Sequence, residues 1–261
     1  MAETSYKFKV GTFECTAISD GNIAVGKPQQ ARETMDVSCL FIRSGRNKIL
    51  IDTGCGSGFQ ATSGKLLENM NKEGITPASI DTIVYTHGHL DHVGGTFNSE
   101  GKLLYPNAQQ FIAKKEWDSI ANSNETTPNY RMFAFGKKNL LPIRDKFTLL
   151  GDNAEVMPGI KLVPAVGHTL GGVMVQISSG KDMLLCIGDL IHSFTEFANP
   201  GFYSFLDSAP EEAVKLRTEG LSKIAKSGAM VFACHFPFPG IGHIVQKGVI
   251  LDWKPVQRVI K

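Results

Sequence analysis

The chain has 261 residues, enough for one large domain or two small ones with a sizeable buried core. Its 42% hydrophobic and 20% charged residues are those of an ordinary globular protein, and 27 basic against 25 acidic residues leave a net charge of +2. That balance gives no basic footprint for nucleic acid or an anionic membrane, and no apolar run approaches the roughly 20 residues that cross a bilayer.

In chain order, residues 6–10, 12–19, 37–43 and 47–52 alternate or are rich in β-branched and apolar types, which predicts strands. Lys65 to Glu73 predicts a helix, closed by Gly74 as a C-terminal cap. Ile80 to Tyr85 predicts a short buried strand that delivers Thr86-His87 to its C-terminal edge. Further strands are expected at 109–113, 160–166, 173–178, 183–187, 229–233 and 243–250. A helix is expected over 210–226, with Pro210-Glu211-Glu212 suiting its first turn and Lys223 and Lys226 its last. No repeat, low-complexity tract or linker interrupts the chain, so 1–261 reads as one domain. The order of elements suggests two central sheets with helices outside.

Five of the seven histidines fall in a pattern a core would not use: His87-Gly88-His89-Leu90-Asp91-His92, then His168 and His235, with Asp189 between the last two. Imidazole and carboxylate are ligands of borderline-soft zinc, and burying four such groups within six residues is costly unless a metal or hydrogen bonds satisfy them. Three of the candidates share one local pattern, an apolar strand ending in a polar residue: Ile83-Val84-Tyr85-Thr86-His87, Leu184-Leu185-Cys186-Ile187-Gly188-Asp189 and Met230-Val231-Phe232-Ala233-Cys234-His235. Strand ends are rigid places on which to gather a site. A lone His168 or His235 would more often be a satisfied core histidine, and Asp52-Thr53-Gly54 could be an ordinary turn. The full set argues otherwise.

This set resembles the metallo-β-lactamase superfamily. Ile49-Leu50-Ile51-Asp52-Thr53-Gly54 matches the family's first motif, Asp91-His92-Val93-Gly94-Gly95 continues the second, and Gly167-His168-Thr169 and Gly188-Asp189 supply the next two. The resemblance covers nearly the whole chain and implies an α/β fold, the four-layered αββα metallo-β-lactamase sandwich, with a binuclear site at one edge of the sheets. It further implies that His87, His89 and His168 hold one divalent metal and Asp91, His92 and His235 the other, with Asp189 bridging. Two metals, zinc being the expected ion, would clamp attacking and leaving oxygens and lower the pKa of a water to about 7, giving a hydroxide nucleophile. Asp91 and Asp189 would be the catalytic carboxylates, with Asp91 serving the leaving group. Asp52 would fix the tautomer of a ligand imidazole. Iron-reducing relatives usually carry glutamate where this chain has His89.

Phe236-Pro237-Phe238-Pro239-Gly240-Ile241-Gly242-His243-Ile244, directly after His235, is similar to methyl parathion hydrolase and its lactonase and arylesterase relatives. So are Gly11-Thr12-Phe13-Glu14-Cys15-Thr16-Ala17-Ile18-Ser19-Asp20-Gly21 and Val156-Met157-Pro158-Gly159-Ile160-Lys161. That likeness implies cleavage of a small ester or lactone in an apolar pocket, with organophosphate triesters as a promiscuous substrate. Phe59 falls at a pocket phenylalanine of the group. Ile120 aligns with its pocket tryptophan, Trp117 lies one helical turn earlier, Phe133 falls near a third aromatic position, and His192 replaces an apolar wall residue. The same residues could equally be core, as most of 16 phenylalanines must be. Close lactonases often place a tyrosine where Ile191 and His192 stand, which argues against a homoserine lactone preference. A glyoxalase-type thioesterase is the alternative enzyme, and an inactive metal-binding scaffold the non-enzymatic one. The resemblance is compatible with a homodimer.

Cys15, Cys39, Cys55, Cys186 and Cys234 form no CxxC pair and are odd in number, which favours a reducing cytoplasm. Residues 1–10 lack a signal-peptide pattern; a periplasmic or secreted location would require a leader removed ahead of Met1-Ala2-Glu3-Thr4.

Overall fold

The computed structural model describes residues 3–26, 33–127, 130–248 and 250–257. In chain order the elements are β1 (Ser5–Val10), β2 (Phe13–Val25), β3 (Glu33–Ser44), β4 (Asn47–Ile51), α1 (Leu66–Lys72), β5 (Thr82–Val84), α2 (Leu90–Val93), β6 (Gln109–Ala113), α3 (Lys114–Asn122) and α4 (Tyr130–Leu140). The second half supplies β7 (Phe147–Leu150), β8 (Glu155–Met157), β9 (Ile160–Pro164), β10 (Val173–Ser179), β11 (Asp182–Cys186), α5 (Phe194–Ala198), α6 (Pro210–Ser227), β12 (Met230–Phe232), β13 (Ile241–Lys247) and β14 (Ile250–Pro255).

Strand alternation sorts these residues into layers. Leu40, Ile42, Ile49 and Ile51 point between the two sheets, whereas Cys39, Phe41 and Leu50, one residue out of phase, point to the outer face. The second sheet obeys the same rule: Val175, Ile177, Leu184 and Cys186 face inward, and Met174, Leu185 and Val231 face out. The inner faces make one core. Leu66, Met70, Ile120, Phe133 and Leu140 of α1, α3 and α4 cover one outer face; Phe197, Leu221 and Ile224 of α5 and α6 cover the other. Each such aliphatic or aromatic side chain stabilises the fold by roughly 1.5–3 kcal/mol through burial. The result is the αββα order expected from the sequence.

The strand order is β1-β2-β3-β4-β5-β6-β7 in one sheet and β14-β13-β12-β11-β10-β9-β8 in the other. Most neighbours are antiparallel, but β4 to β7 run parallel to one another, and β11 and β12 are parallel too. Parallel neighbours release their chains at the same edge, which places Asp52 beside Thr86-His87 and Asp189 near His235. Carboxyl ends of parallel strands are where α/β sheets gather their ligands.

Most expected elements lie within a residue or two of those observed. Two strands are longer than expected, β2 running on to Val25 past the expected 12–19 and β3 starting at Glu33 ahead of the expected 37–43, and the expected strand 243–250 is the end of one strand and the start of another. Gly248, at φ 63, reverses the chain into the β13–β14 hairpin; residue 249 lies outside the described residues. Gly74, at φ 69, ends α1 as expected, and Gly228, at φ 67, ends α6.

Candidate metal centre

Asp189 lies just beyond β11, with side-chain exposure of only 4%, and its two oxygens face different imidazoles. Oδ2 is 3.6 Å from His87 Nε2 and 3.2 Å from His168 Nε2. Oδ1 is 3.1 Å from both His92 Nε2 and His235 Nε2. His89 joins the first group through Nδ1, 2.7 Å from His168 Nε2. Asp91 joins the second: its Oδ2 is 3.4 Å from His235 Nε2 and 3.7 Å from His92 Nε2. Asp91 and His92 are delivered by the single turn of α2, and His235 follows β12.

The far side of each ring decides which nitrogen is free. Asp52 Oδ2 is 2.8 Å from His92 Nδ1, and the Asp36 carbonyl is 2.9 Å from His235 Nδ1, so each Nδ1 donates outward and each Nε2 is turned toward Asp189. Asp52 is itself fixed at φ 61 by bonds from Thr86 N and Oγ1, both 2.8 Å. Nε2 of His87, His92 and His235 is buried without a hydrogen-bond partner. One such orphan costs about 1–3 kcal/mol, and several aimed at one point make sense only if something binds there.

Electrostatics agree. Burial pushes His87 and His89 well below the usual imidazole range, leaving them neutral as metal ligands must be. Burial opposes charge on His92 and His235 too, but Asp189, Asp91 and Asp52 around His92, and Cys234 and Asp189 around His235, outweigh it and hold both well above that range. Burial would raise Asp189, yet the surrounding imidazoles keep its carboxyl well below its ordinary value. Anionic Asp189, neutral His87 and His89, and His92 and His235 once an incoming cation displaces their protons make a donor set that fits divalent cations of the zinc type. Two groups satisfy metal-ligand spacing, His87-His89-His168-Asp189 and His92-Asp189-Cys234-His235, with every ligand atom in a group within 4.8 Å of the others. Asp189 belongs to both.

A cavity of about 260 Å³ opens over His89, Asp91, His168, Asp189, His192 and His235. Its other wall is apolar: Ile23, Met35, Phe59, Met132, Phe135 and Phe205. Phe59 and His192 thus stand where the sequence placed them. Trp117, Ile120 and Phe133 do not, and these three are corrected. Trp117 packs on Phe147 with ring centroids 4.8 Å apart. Ile120 is wholly buried beneath Gly88, where a Cβ would stand 2.4 Å from its Cδ1. Phe133, 3% exposed, belongs to the layer between helix and sheet.

Several residues escaped the sequence reading. Cys234 Sγ lies 3.6 Å from Asp189 Oδ1; its place next to His235 on the same strand end was the available signal. Glu116, buried on α3, accepts bonds from Gly88 N, Thr169 Oγ1 and Gly171 N, bracing the loop of His87 and His89 against that of His168. Glu196 accepts from the backbone N of His192 at 2.8 Å and lies 2.9 Å from its Nδ1. Burial opposes charge on His192, but its bonds to Asp189 and Glu196 push it up to about 9.

Two layered sheets with imidazoles and carboxylates gathered at one edge are the build of a metal-dependent hydrolase. The chain belongs to the metallo-β-lactamase superfamily, whose family model matches residues 32–235. An N-acyl homoserine lactonase from Bacillus sp is 25% identical over 195 residues, 67% of this chain and 71% of that protein. Among solved structures, AidC, a dizinc quorum-quenching lactonase in complex with a product, N-hexnoyl-L-homoserine, matches with TM-score 0.90 and 27% identity over 98% of both chains. The hydrolase AbOPH of the β-lactamase superfamily matches with TM-score 0.89 and 25% identity over 99% of both.

Proposed function

We propose that this protein is a binuclear metal-dependent hydrolase of uncharged lactones or aryl esters. The observation that carries the reading is the pairing of Asp189, shared by two ligand groups, with an apolar cavity opening directly onto them. His87, His89 and His168 would hold one ion and Asp91, His92 and His235 the other, with Asp189 between and Cys234 close by. Bound there, two zinc-type ions would supply water activation at neutral pH and polarisation of the acyl oxygen.

The chain's own residues do the rest. Asp52 and the Asp36 carbonyl hold the rings of His92 and His235 in the tautomer that faces the centre. Phe59, Met132, Phe135 and Phe205 exclude bulk water and bind the apolar part of the ester. As water adds to the acyl carbon and the acyl–oxygen bond breaks, the proton that the water gives up must reach the leaving oxygen, and Asp91, which lines the cavity, would accept it and hand it on. His192, its ring held by Glu196 and its Nε2 3.4 Å from Asp189 Oδ2, forms the polar corner of the wall.

Among the described residues no lysine or arginine lines the cavity. This favours a neutral ester over the anionic thioester of a glyoxalase-type enzyme. The lactonase identity of the Bacillus relative and of AidC supports the lactone side of the reading.

The test is a panel on zinc-loaded protein: dihydrocoumarin, an aryl ester, an acyl-homoserine lactone, paraoxon and a glutathione thioester. Turnover of dihydrocoumarin and the aryl ester should dominate, with paraoxon slower. Thioester turnover alone would move the assignment to the thioesterase. No turnover with two zinc ions bound would leave a scaffold, and fewer than one zinc per chain would end the metal reading.

A further inference from the structure

Arg217 is 1% exposed, on the face of α6 turned into the protein. A buried guanidinium is costly unless its donors find partners. Its Nη1 donates to Asp207 Oδ2 at 3.0 Å, its Nε to the Pro200 carbonyl at 3.3 Å, and its Nη2 to the Phe202 carbonyl. All three acceptors lie in one segment, 199–207, which brings Phe205 and Leu206 to the cavity wall. One side chain of α6 therefore pins the aromatic wall of the cavity.

The end of that segment also runs against a ligand loop. Ser208 N donates to the His168 carbonyl at 3.0 Å, and Ala209 N to the Gly167 carbonyl at 2.8 Å. Gly167, at φ 148, packs so closely on α6 that a Cβ would stand 2.4 Å from Ala213 Cα. Asp207 Oδ1 lies 3.5 Å from His168 Nδ1, and both atoms are buried without a hydrogen-bond partner. Asp207 thus offers one oxygen to Arg217 and the other to the ring whose Nε2 faces Asp189.

We propose that Arg217 is a positioning residue that acts through Asp207, coupling the ring of His168 to the wall segment 199–207. Filling the metal centre and ordering the apolar wall are then one event, and the coupling is reciprocal: what loosens the segment weakens the metal. The segment presents Phe205 and Leu206, so the ligand that gains from its ordering is the aromatic or aliphatic part of a neutral ester. The inference rests on His168 being a metal ligand.

The experiment is hydrogen exchange of the 199–207 peptide in metal-free and zinc-loaded full-length protein, with zinc affinity measured by chelator competition. Zinc should slow exchange in this peptide in the unaltered protein, a measurement that needs no variant. Asp207→Asn should weaken zinc roughly 10–100-fold, as loss of an outer partner of a metal-bound histidine does, and abolish the zinc-dependent protection. Arg217→Lys keeps a cation near Asp207 but loses the planar fork, so it should speed exchange in 199–207 and raise KM for dihydrocoumarin more than it lowers kcat. Zinc binding with unchanged exchange in 199–207, or Asp207→Asn binding zinc as tightly as the unaltered protein, would overturn the coupling while leaving the metal centre standing. Absence of zinc binding in the unaltered protein would overturn both.

Discussion

Asp52 Oδ2 lies 2.8 Å from His92 Nδ1, joining the end of one strand of a parallel pair to a histidine just beyond the other. The carboxylate can only accept, so the ring must donate from Nδ1 and present Nε2 to Asp189, 3.1 Å away. An asparagine at position 52 could offer its NH2 instead and permit the other tautomer. Because Asn is well suited to a φ of 61, Asp52→Asn should leave the melting temperature nearly unchanged. Zinc affinity should fall by about 10–100-fold. Chelator competition beside thermal denaturation separates the two; a variant that binds zinc normally would remove Asp52 from the centre.

Glu116 braces the two ligand loops with three hydrogen bonds of 2.7–3.1 Å. Glu116→Ala would orphan the N–H groups of Gly88 and Gly171 and the hydroxyl of Thr169. The loss should be at least about 2 kcal/mol in urea unfolding. Burial raises the Glu116 carboxyl above its ordinary value, although its donors pull it back. A raised folded-state value makes its contribution largest below the unfolded carboxyl's range and smaller as pH climbs through the folded value. In metal-free protein the stability gap to Glu116→Gln should therefore narrow as the pH rises above the ordinary carboxyl range and through the raised folded-state value. A gap that widened with pH would contradict the burial argument.

All five cysteines are buried and unpaired, and burial alone pushes the Cys15 thiol up to about 12. Cys39, Cys55, Cys186 and Cys234 are raised as well, chiefly by the same desolvation. The thiolate is the reacting form, so folded protein at pH 8 should react with Ellman's reagent at none of the five positions within minutes. Denatured protein should react at all five. Rapid reaction of one thiol in the folded state would show that its layer opens.

The sandwich was legible because strand alternation needs only period two: Leu40 and Phe41 declare opposite faces by adjacency alone. The seven candidate ligands were legible because each lies within a few residues of the end of a short strand or in the turn that follows β5. Glu116 and Arg217 were not, since each is an isolated charge on an otherwise ordinary helix. Their partners lie 28 to 55 residues away for Glu116 and 10 to 17 for Arg217, at contacts that only the packed layers create. The wall of the cavity was misjudged for a different reason. Position by position, Phe133 looked right, but successive helical residues are about 100° apart, so a one-residue error turns a wall into a core.

That rotation gives the last prediction. On α4, Phe133 is 3% exposed and packs in the core, whereas Met132 and Phe135 are only partly buried and line the cavity. Phe133→Ala should therefore cost about 3–5 kcal/mol of stability through the void it leaves, while KM for an aryl ester changes little at temperatures where the variant stays folded. Phe135→Ala should do the reverse. Its stability should stay within about 1–2 kcal/mol of the parent, because a partly buried ring loses less transfer energy and leaves an open surface rather than a sealed void. Its KM for the aryl ester should rise several-fold, with a smaller change for a compact aliphatic lactone that does not reach the ring. Urea unfolding and steady-state kinetics on the two variants decide it. If Phe133→Ala, and not Phe135→Ala, selectively loses the aryl substrate, the cavity face of α4 is the opposite one.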